Sequence, residues 1–115
     1  MHEVSLIEAL FDQADRAIAP HRPGDVRRIT LRVGALSGVE PELLRAAFEG
    51  CRGERGYHRA SLLVRDEPAA WRCAACGEAL GEALPLACAR CGGDARLAQG
   101  DALILERLEL EVPDV

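Results

Sequence analysis

Apolar residues at Ile7, Leu10, Phe11, Ala14, Ala17 and Ile18 recur at the spacing of one helix face, with Glu8, Asp12, Asp15 and Arg16 on the other. Ser5 and Glu8 have capping-box spacing, which predicts a helix that begins at Ser5 and leaves residues 1–4 outside it, their backbone amides unspent. Pro20 and Pro23-Gly24 end this helix. From Val26 to Val33 the period falls to two: Ile29, Leu31 and Val33 alternate with Arg28, Thr30 and Arg32, a half-exposed strand with an arginine-rich outer face. Gly34 to Val39 is a loop. Pro41 opens a second helix, with Leu43, Leu44, Ala47, Phe48 and Cys51 as its apolar stripe and Gly50, Gly53 and Gly56 at its close. A strand over 60–65 follows, and a last one over 103–112. There Leu108, Leu110 and Val112 alternate with charges, while Leu103 and Leu105 break the parity and predict a bulge or a strand start buried on both faces.

Residues 71–98 have a different character. They hold four cysteines, many alanines and glycines, and no periodic stripe of useful length. Such a segment needs a staple in place of a core. The expected architecture is α+β: two helices packed on a small mixed three-stranded sheet, with an inserted zinc-ribbon module. Residues 1–70 and 99–115 form the body and residues 71–98 the module. The helix between the first two strands permits a parallel crossover.

Composition narrows the function. The chain has 115 residues, one domain with at most a small appendage. Its net charge of -5 and its four scattered aromatics, Phe11, Phe48, Tyr57 and Trp71, lack the basic field and stacking platform of a general nucleic-acid binder. No apolar run approaches the ~20 residues of a membrane span. The N-terminus has no signal-peptide pattern, so a cytoplasmic protein with reduced thiols is expected. The arginines Arg28 and Arg32 share a strand face, and Arg52, Arg55 and Arg59 cluster after the second helix. They fit either a solvated face or a surface for an acidic partner, as Glu8, Asp12 and Asp15 fit either solubility or docking. No nucleophile–base pair, phosphate-binding glycine loop or paired-carboxylate motif is present, so the chain reads as a non-enzyme.

Cys73-Ala74-Ala75-Cys76-Gly77 and Cys88-Ala89-Arg90-Cys91-Gly92 are two copies of C-x-x-C-G. A two-residue gap lets both sulfurs of one turn reach a single ion, and four thiolates give the closed tetrahedron that Zn2+ favours. A glycine after the second cysteine permits the positive φ that tightens such a turn. Four protein ligands leave no open position for water, so the zinc is structural. An iron tetrathiolate of rubredoxin type uses the same ligands and remains open. A zinc-ribbon interaction module, or a nucleic-acid-associated one, is the other alternative, although its charges balance: Arg72, Arg90 and Arg96 against Glu78, Glu82 and Asp94. Cys51, on the stripe of the second helix, fits core packing.

His2 follows a start methionine whose removal a large second residue disfavours. The α-amine, the amide nitrogens of residues 2 and 3 and the His2 imidazole can gather around one ion, and nitrogen-rich square-planar ligation suits Ni2+ and Cu2+. Glu3 adds a nearby carboxylate. His21 and His58 are expected in exposed loops without a role.

Met1-His2-Glu3-Val4-Ser5-Leu6, Val33-Gly34-Ala35-Leu36-Ser37, Val39-Glu40-Pro41-Glu42, Ala47-Phe48-Glu49 and the twin C-x-x-C, in that order, resemble the HypA/HybF nickel metallochaperones of [NiFe]-hydrogenase maturation. The resemblance implies nickel at His2 with neighbouring backbone nitrogens and Glu3 assisting, and a structural zinc on Cys73, Cys76, Cys88 and Cys91. It also implies a nickel-binding maturation GTPase as partner, the [NiFe]-hydrogenase large subunit as recipient, and urease in some organisms. A monomer or weak homodimer is compatible with it. Some members carry histidines beside the cysteine pairs; here His2, His21 and His58 all precede them, so no local cysteine-to-histidine ligand switch is expected.

Overall fold

A computed structural model describes residues 2–82 and 87–112. The chain divides into two compact units, one of Met1–Arg32, Val39–Arg65 and Ile104–Val115, the other of Val33–Gly38 and Asp66–Leu103. The order of elements is α1 (His2–Ile18), β1 (Val26–Gly34), α2 (Pro41–Cys51), β2 (Ser61–Glu67), β3 (Ala70–Cys73), β4 (Ala79–Gly81), β5 (Ala95–Gln99) and β6 (Leu103–Leu110).

Helix α1 does not begin at Ser5. It begins at His2 and takes Ser5 into its interior as an exposed residue. Nothing in His2, Glu3 or Val4 breaks a helix, and the Glu3 carboxylate complements the positive end of the helix dipole. The amides of His2 and Glu3 stay without intrahelical partners all the same, because the first four N–H groups of an α-helix have none. The core-facing stripe starts only at Ile7 and continues through Leu10, Phe11, Ala14 and Ile18, all buried. Ala17, expected on that stripe, is exposed.

Helix α2 has Pro41 in its first turn, as its sequence predicts, and buries Leu44 and Phe48 against α1. Leu43 lies off that face and is 54% exposed, which departs from its expected place in the stripe. The two helices pack on a three-stranded sheet in the order β2-β1-β6. The sheet is mixed. Asp25 pairs with Glu111 at one end of β1 and Gly34 with Ala102 at the other, so β6 is antiparallel; the Ser61–Arg27 and Ala35–Glu67 hydrogen bonds run in the same sense, so β2 is parallel. Being central, β1 buries more than one face: Thr30, expected outside, is 4% exposed. At the start of β6, Leu103, Ile104 and Leu105 are all half-buried, as the broken parity predicts.

The core of this unit is tied by one arginine and one tyrosine. Phe11 stacks on Phe48 at 5.5 Å and on Tyr57 at 4.8 Å between ring centroids. Tyr57 is fully buried and its hydroxyl donates to Asp15 Oδ1 at 2.6 Å; burial and the Asp15 carboxylate push its ionisation far up. Arg55 lies over the Phe11 ring and donates to Glu8 at 3.0 Å, Asp12 at 2.7 Å and Asp15 at 3.1 Å. These three acids and this arginine therefore face one another. Arg52 likewise donates to Glu49 and to the backbone oxygen of His58. His21 and His58 are exposed.

The other unit has a second sheet that the sequence pattern does not announce, antiparallel in the order β4-β3-β5. Residues Val33–Gly38 join it: Ala35 N–H donates to Glu67 O, Leu36 N–H to Gly100 O, and Gly100 N–H to the buried Glu67 carboxylate at 3.1 Å. Gly34 packs directly on the Gly100 carbonyl, where a Cβ on Gly34 would overlap it. Gly34→Ala should thus cost about 1–3 kcal/mol, read as a lower urea midpoint in the fluorescence of Trp71, the single tryptophan, on β3. An unchanged midpoint would show that the two backbones can separate freely.

Candidate metal centre

Cys73 ends β3, and Cys76 lies on the turn that leads towards β4; Cys88 and Cys91 lie on a second turn before β5. The two turns are built alike. Cys73 N–H donates to Glu78 O at 2.9 Å and Gly77 N–H to Cys73 O at 3.0 Å; Cys88 N–H donates to Gly93 O at 2.9 Å and Gly92 N–H to Cys88 O at 2.8 Å. Gly77 has φ +79° and Gly92 φ +78°, the left-handed conformation expected of the glycine after each pair. The Ala74 N–H donates to Asp94 O at 2.7 Å, and Arg90 reaches Glu78 at 3.0 Å, so the turns are also linked to each other.

This arrangement brings all four sulfurs within 4.8 Å of one another. Cys73 Sγ lies 3.3 Å from Cys91 Sγ, and Cys76 Sγ 3.8 Å from Cys88 Sγ. A regular tetrahedron with metal–sulfur bonds of ~2.3 Å has sulfur–sulfur edges of ~3.8 Å, so the cluster has the size of a Zn2+ site. Cys73 and Cys88 are buried, Cys76 and Cys91 exposed. The donor set fits a closed structural ion.

Electrostatics point the same way. The N–H groups of Cys76 and Ala75 both donate to Cys73 Sγ at 3.4 Å and pull its ionisation down to about 6. At Cys76 the Glu78 amide also favours the thiolate, but desolvation and the neighbouring sulfurs outweigh it and push the thiol up to about 12. Cys91 is raised as well: the Gly93 amide lowers it, but the Cys73 and Cys88 sulfurs together with desolvation outweigh that. Four sulfurs this close cannot all ionise without a cation between them.

Gly93 is a contributor that the sequence reading passed over. A Cβ there would stand 2.8 Å from Cys73 Sγ and 2.9 Å from Ala75 Cβ, so only glycine leaves room for the first turn. The doubled Gly92-Gly93 was the available signal.

His2 and Glu3 belong to the other compact unit, where they open α1. His2 is exposed and Glu3 half-buried. The α-amine of Met1, the remaining expected nickel ligand, lies outside the described residues. Glu3 and Val4 line one side of a shallow groove of 420 Å³ whose other wall is Leu43, Ala46, Ala47, Gly50 and Cys51 of α2. Cys51 is half-buried rather than fully packed, and burial together with Glu8 holds its thiol protonated.

A protein-family model described as "Hydrogenase/urease nickel incorporation, metallochaperone, hypA" matches residues 1–110. The chain belongs to the HypA family. The hydrogenase maturation factor HypA of Shewanella halifaxensis is 35% identical over 113 residues, covering 96% of this chain and 98% of that one. That of Aquifex aeolicus is 32% identical over 114 residues, covering 97% and 99%. The solution structure of the Ni metallochaperone HypA from Helicobacter pylori shares the fold, with a TM-score of 0.70 at 23% identity over 94% of this chain and 96% of that one. A second HypA solution structure gives a TM-score of 0.77, again at 23% identity. Two helices on a mixed sheet with a four-cysteine module are thus the fold of this HypA-family chain.

Metal binding at such a cluster must expel protons from the raised thiols, so zinc affinity should rise with pH by about tenfold or more per unit between pH 6 and 8. Competition with a chelating dye across that range reads it directly. A pH-independent affinity would mean that the thiols are already ionised when the metal arrives.

Proposed function

We propose that this chain carries Ni2+ on the residues that open α1 and delivers it for [NiFe]-hydrogenase maturation, while Zn2+ on Cys73, Cys76, Cys88 and Cys91 holds its second unit together. The observation that carries this reading is the family match over residues 1–110, which includes the motif at His2 and Glu3 as well as both cysteine pairs. The nickel ligands are the His2 imidazole and the adjoining backbone nitrogens, with Glu3 beside them. Urease is a second destination that the family description admits. The partners are a nickel-binding GTPase and the hydrogenase large subunit, met in the cytoplasm by a monomer or weak homodimer.

The chemistry of each site suits its role. An exposed helix start, with amides that have no intrahelical partner, can take an ion and yield it on contact. Imidazole and backbone nitrogens suit Ni2+, whereas four thiolates suit Zn2+ and keep no open position. Each metal therefore has a site that discriminates against the other. Zinc binding is folding free energy for the unit that contains it. No helix among the described residues is long and apolar enough to cross a membrane. The alternative of a zinc ribbon without a nickel role has no specific support: Arg90 and Arg72 are spent on Glu78 and on the Gly77 carbonyl.

Isothermal titration of the zinc-loaded chain with Ni2+ tests the carrier reading. His2→Ala should weaken nickel by about 100-fold or more, equivalent to about 2.7 kcal/mol, with zinc content and far-UV circular dichroism unchanged. Equal affinity in the variant would sink it. Stripping zinc with a chelator should open residues 71–98 to proteolysis while α1 stays protected; equal resistance with and without metal would mean that the module has another staple.

A further inference from the structure

Helix α1 is built to have two different starts, and the second has no use in the helix as it stands. Ser5 and Glu8 form a capping-box pair, yet α1 begins three residues earlier, and Ser5 is an exposed interior residue. Val4 is 40% exposed, and the first fully buried side chain is Ile7. The turn ahead of Ser5 is therefore held by backbone hydrogen bonds and little packing, and opens at small cost.

Chelation by consecutive backbone nitrogens conflicts with that turn. Each ligating amide loses its proton to solvent as its nitrogen–metal bond forms, and the ion lies in the plane of the amide. A ring closed through the nitrogens of His2 and Glu3 then requires His2 φ near about 180°, an extended value, whereas the helix holds φ near about −63°. At the helical value the ion bound to the first nitrogen is swung out of reach of the second. His2 cannot remain helical and chelate in this way.

Resting on the nickel reading above, we propose that Ser5 and Glu8 are positioning residues for the cargo: they form a latent N-cap that receives the end of α1 when residues 2–4 leave it to hold Ni2+. Unwinding as far as Val4 removes the carbonyls of His2, Glu3 and Val4, to which the amides of Leu6, Ile7 and Glu8 bond in the longer helix. Ser5 Oγ accepts from Ile7 or Glu8 N–H, and the Glu8 carboxylate accepts from Ser5 N–H. Val4 has no oxygen to offer, so Ser5 is the first residue after the chelate with the chemistry of an N-cap. To do so Glu8 leaves Arg55, at 3.0 Å, and the Cys51 thiol, while Arg55 keeps Asp12 and Asp15. Nickel affinity then includes the difference between two helix ends, one of them prepaid by Ser5.

The test uses the full zinc-loaded chain with one equivalent of Ni2+, read by calorimetry and by residue-resolved amide hydrogen exchange. Ser5→Ala should weaken nickel by about two- to thirtyfold and expose the Ile7 and Glu8 amides in the nickel-bound form alone. Ser5→Gly, which retains most N-cap preference, should stay within a few-fold of the wild type. Val4→Ala, which raises helix propensity in the same turn and leaves the cap intact, should weaken nickel less than Ser5→Ala and leave those amides protected. Three results overturn the cap and spare the carrier reading: wild-type affinity in Ser5→Ala, an equal loss in Val4→Ala, or the Leu6 amide, which bonds the His2 carbonyl only in the longer helix, still protected with His2-dependent nickel bound. Nickel binding indifferent to His2→Ala overturns both.

Discussion

The four sulfurs gathered within 4.8 Å are what the unit around residues 66–103 has in place of a hydrophobic core. Among its described residues the buried apolar side chains are few and small: Ala69, Cys73 and Cys88, with Val33 from the upstream segment. A three-stranded sheet of four, three and five residues does not hold itself together in water. The remaining features of that unit are arranged around the sulfurs. Positive φ at Gly77 and Gly92 turns the chain at each pair, Gly93 clears space for Cys73, and the Arg90–Glu78 contact ties one turn to the other. A divalent ion held by the four cysteines would complete this arrangement by removing the repulsion that otherwise keeps thiols protonated.

The first unit solves its stability by the opposite means. Phe11, Phe48 and Tyr57 stack at its centre, and Arg55 binds three carboxylates spaced along one face of α1. These anchors fall between Glu8 and Ile18. The three residues ahead of Ser5 are exposed or half-buried, so the part of the helix that would handle nickel is the part with least invested in the fold. Firm anchoring downstream and a loosely held first turn suit an ion that must be both selected and released.

How legible this was depended on the range of each interaction. The cysteine pairs were readable because their geometry is set within five residues, and the left-handed glycines followed from the same local rule. Helix α2 was readable from Pro41 and the Leu44–Phe48 spacing. The start of α1 was misread because a capping box is only an offer: the helix declines it while His2, Glu3 and Val4 can continue the ladder. Arg55 and its acids lie 40 to 47 positions apart, and no local pattern foretells that they meet. Strands β3, β4 and β5 were missed because strands this short are positioned by the cysteine turns and have too few residues to show alternation. The Gly34–Gly100 approach, which gives Val33-Gly34-Ala35 its meaning, likewise joins distant segments.

The central claim is that two metals occupy chemically different sites in different units of one chain. The most direct measurement is the optical spectrum of the zinc-loaded protein during addition of one equivalent of Ni2+, with metal content determined afterwards. The account predicts one zinc retained, one nickel bound, and no intense thiolate-to-nickel charge-transfer absorption, because nickel meets nitrogen and not sulfur. Strong charge-transfer bands with one zinc released would place nickel in the cysteine cluster and contradict it.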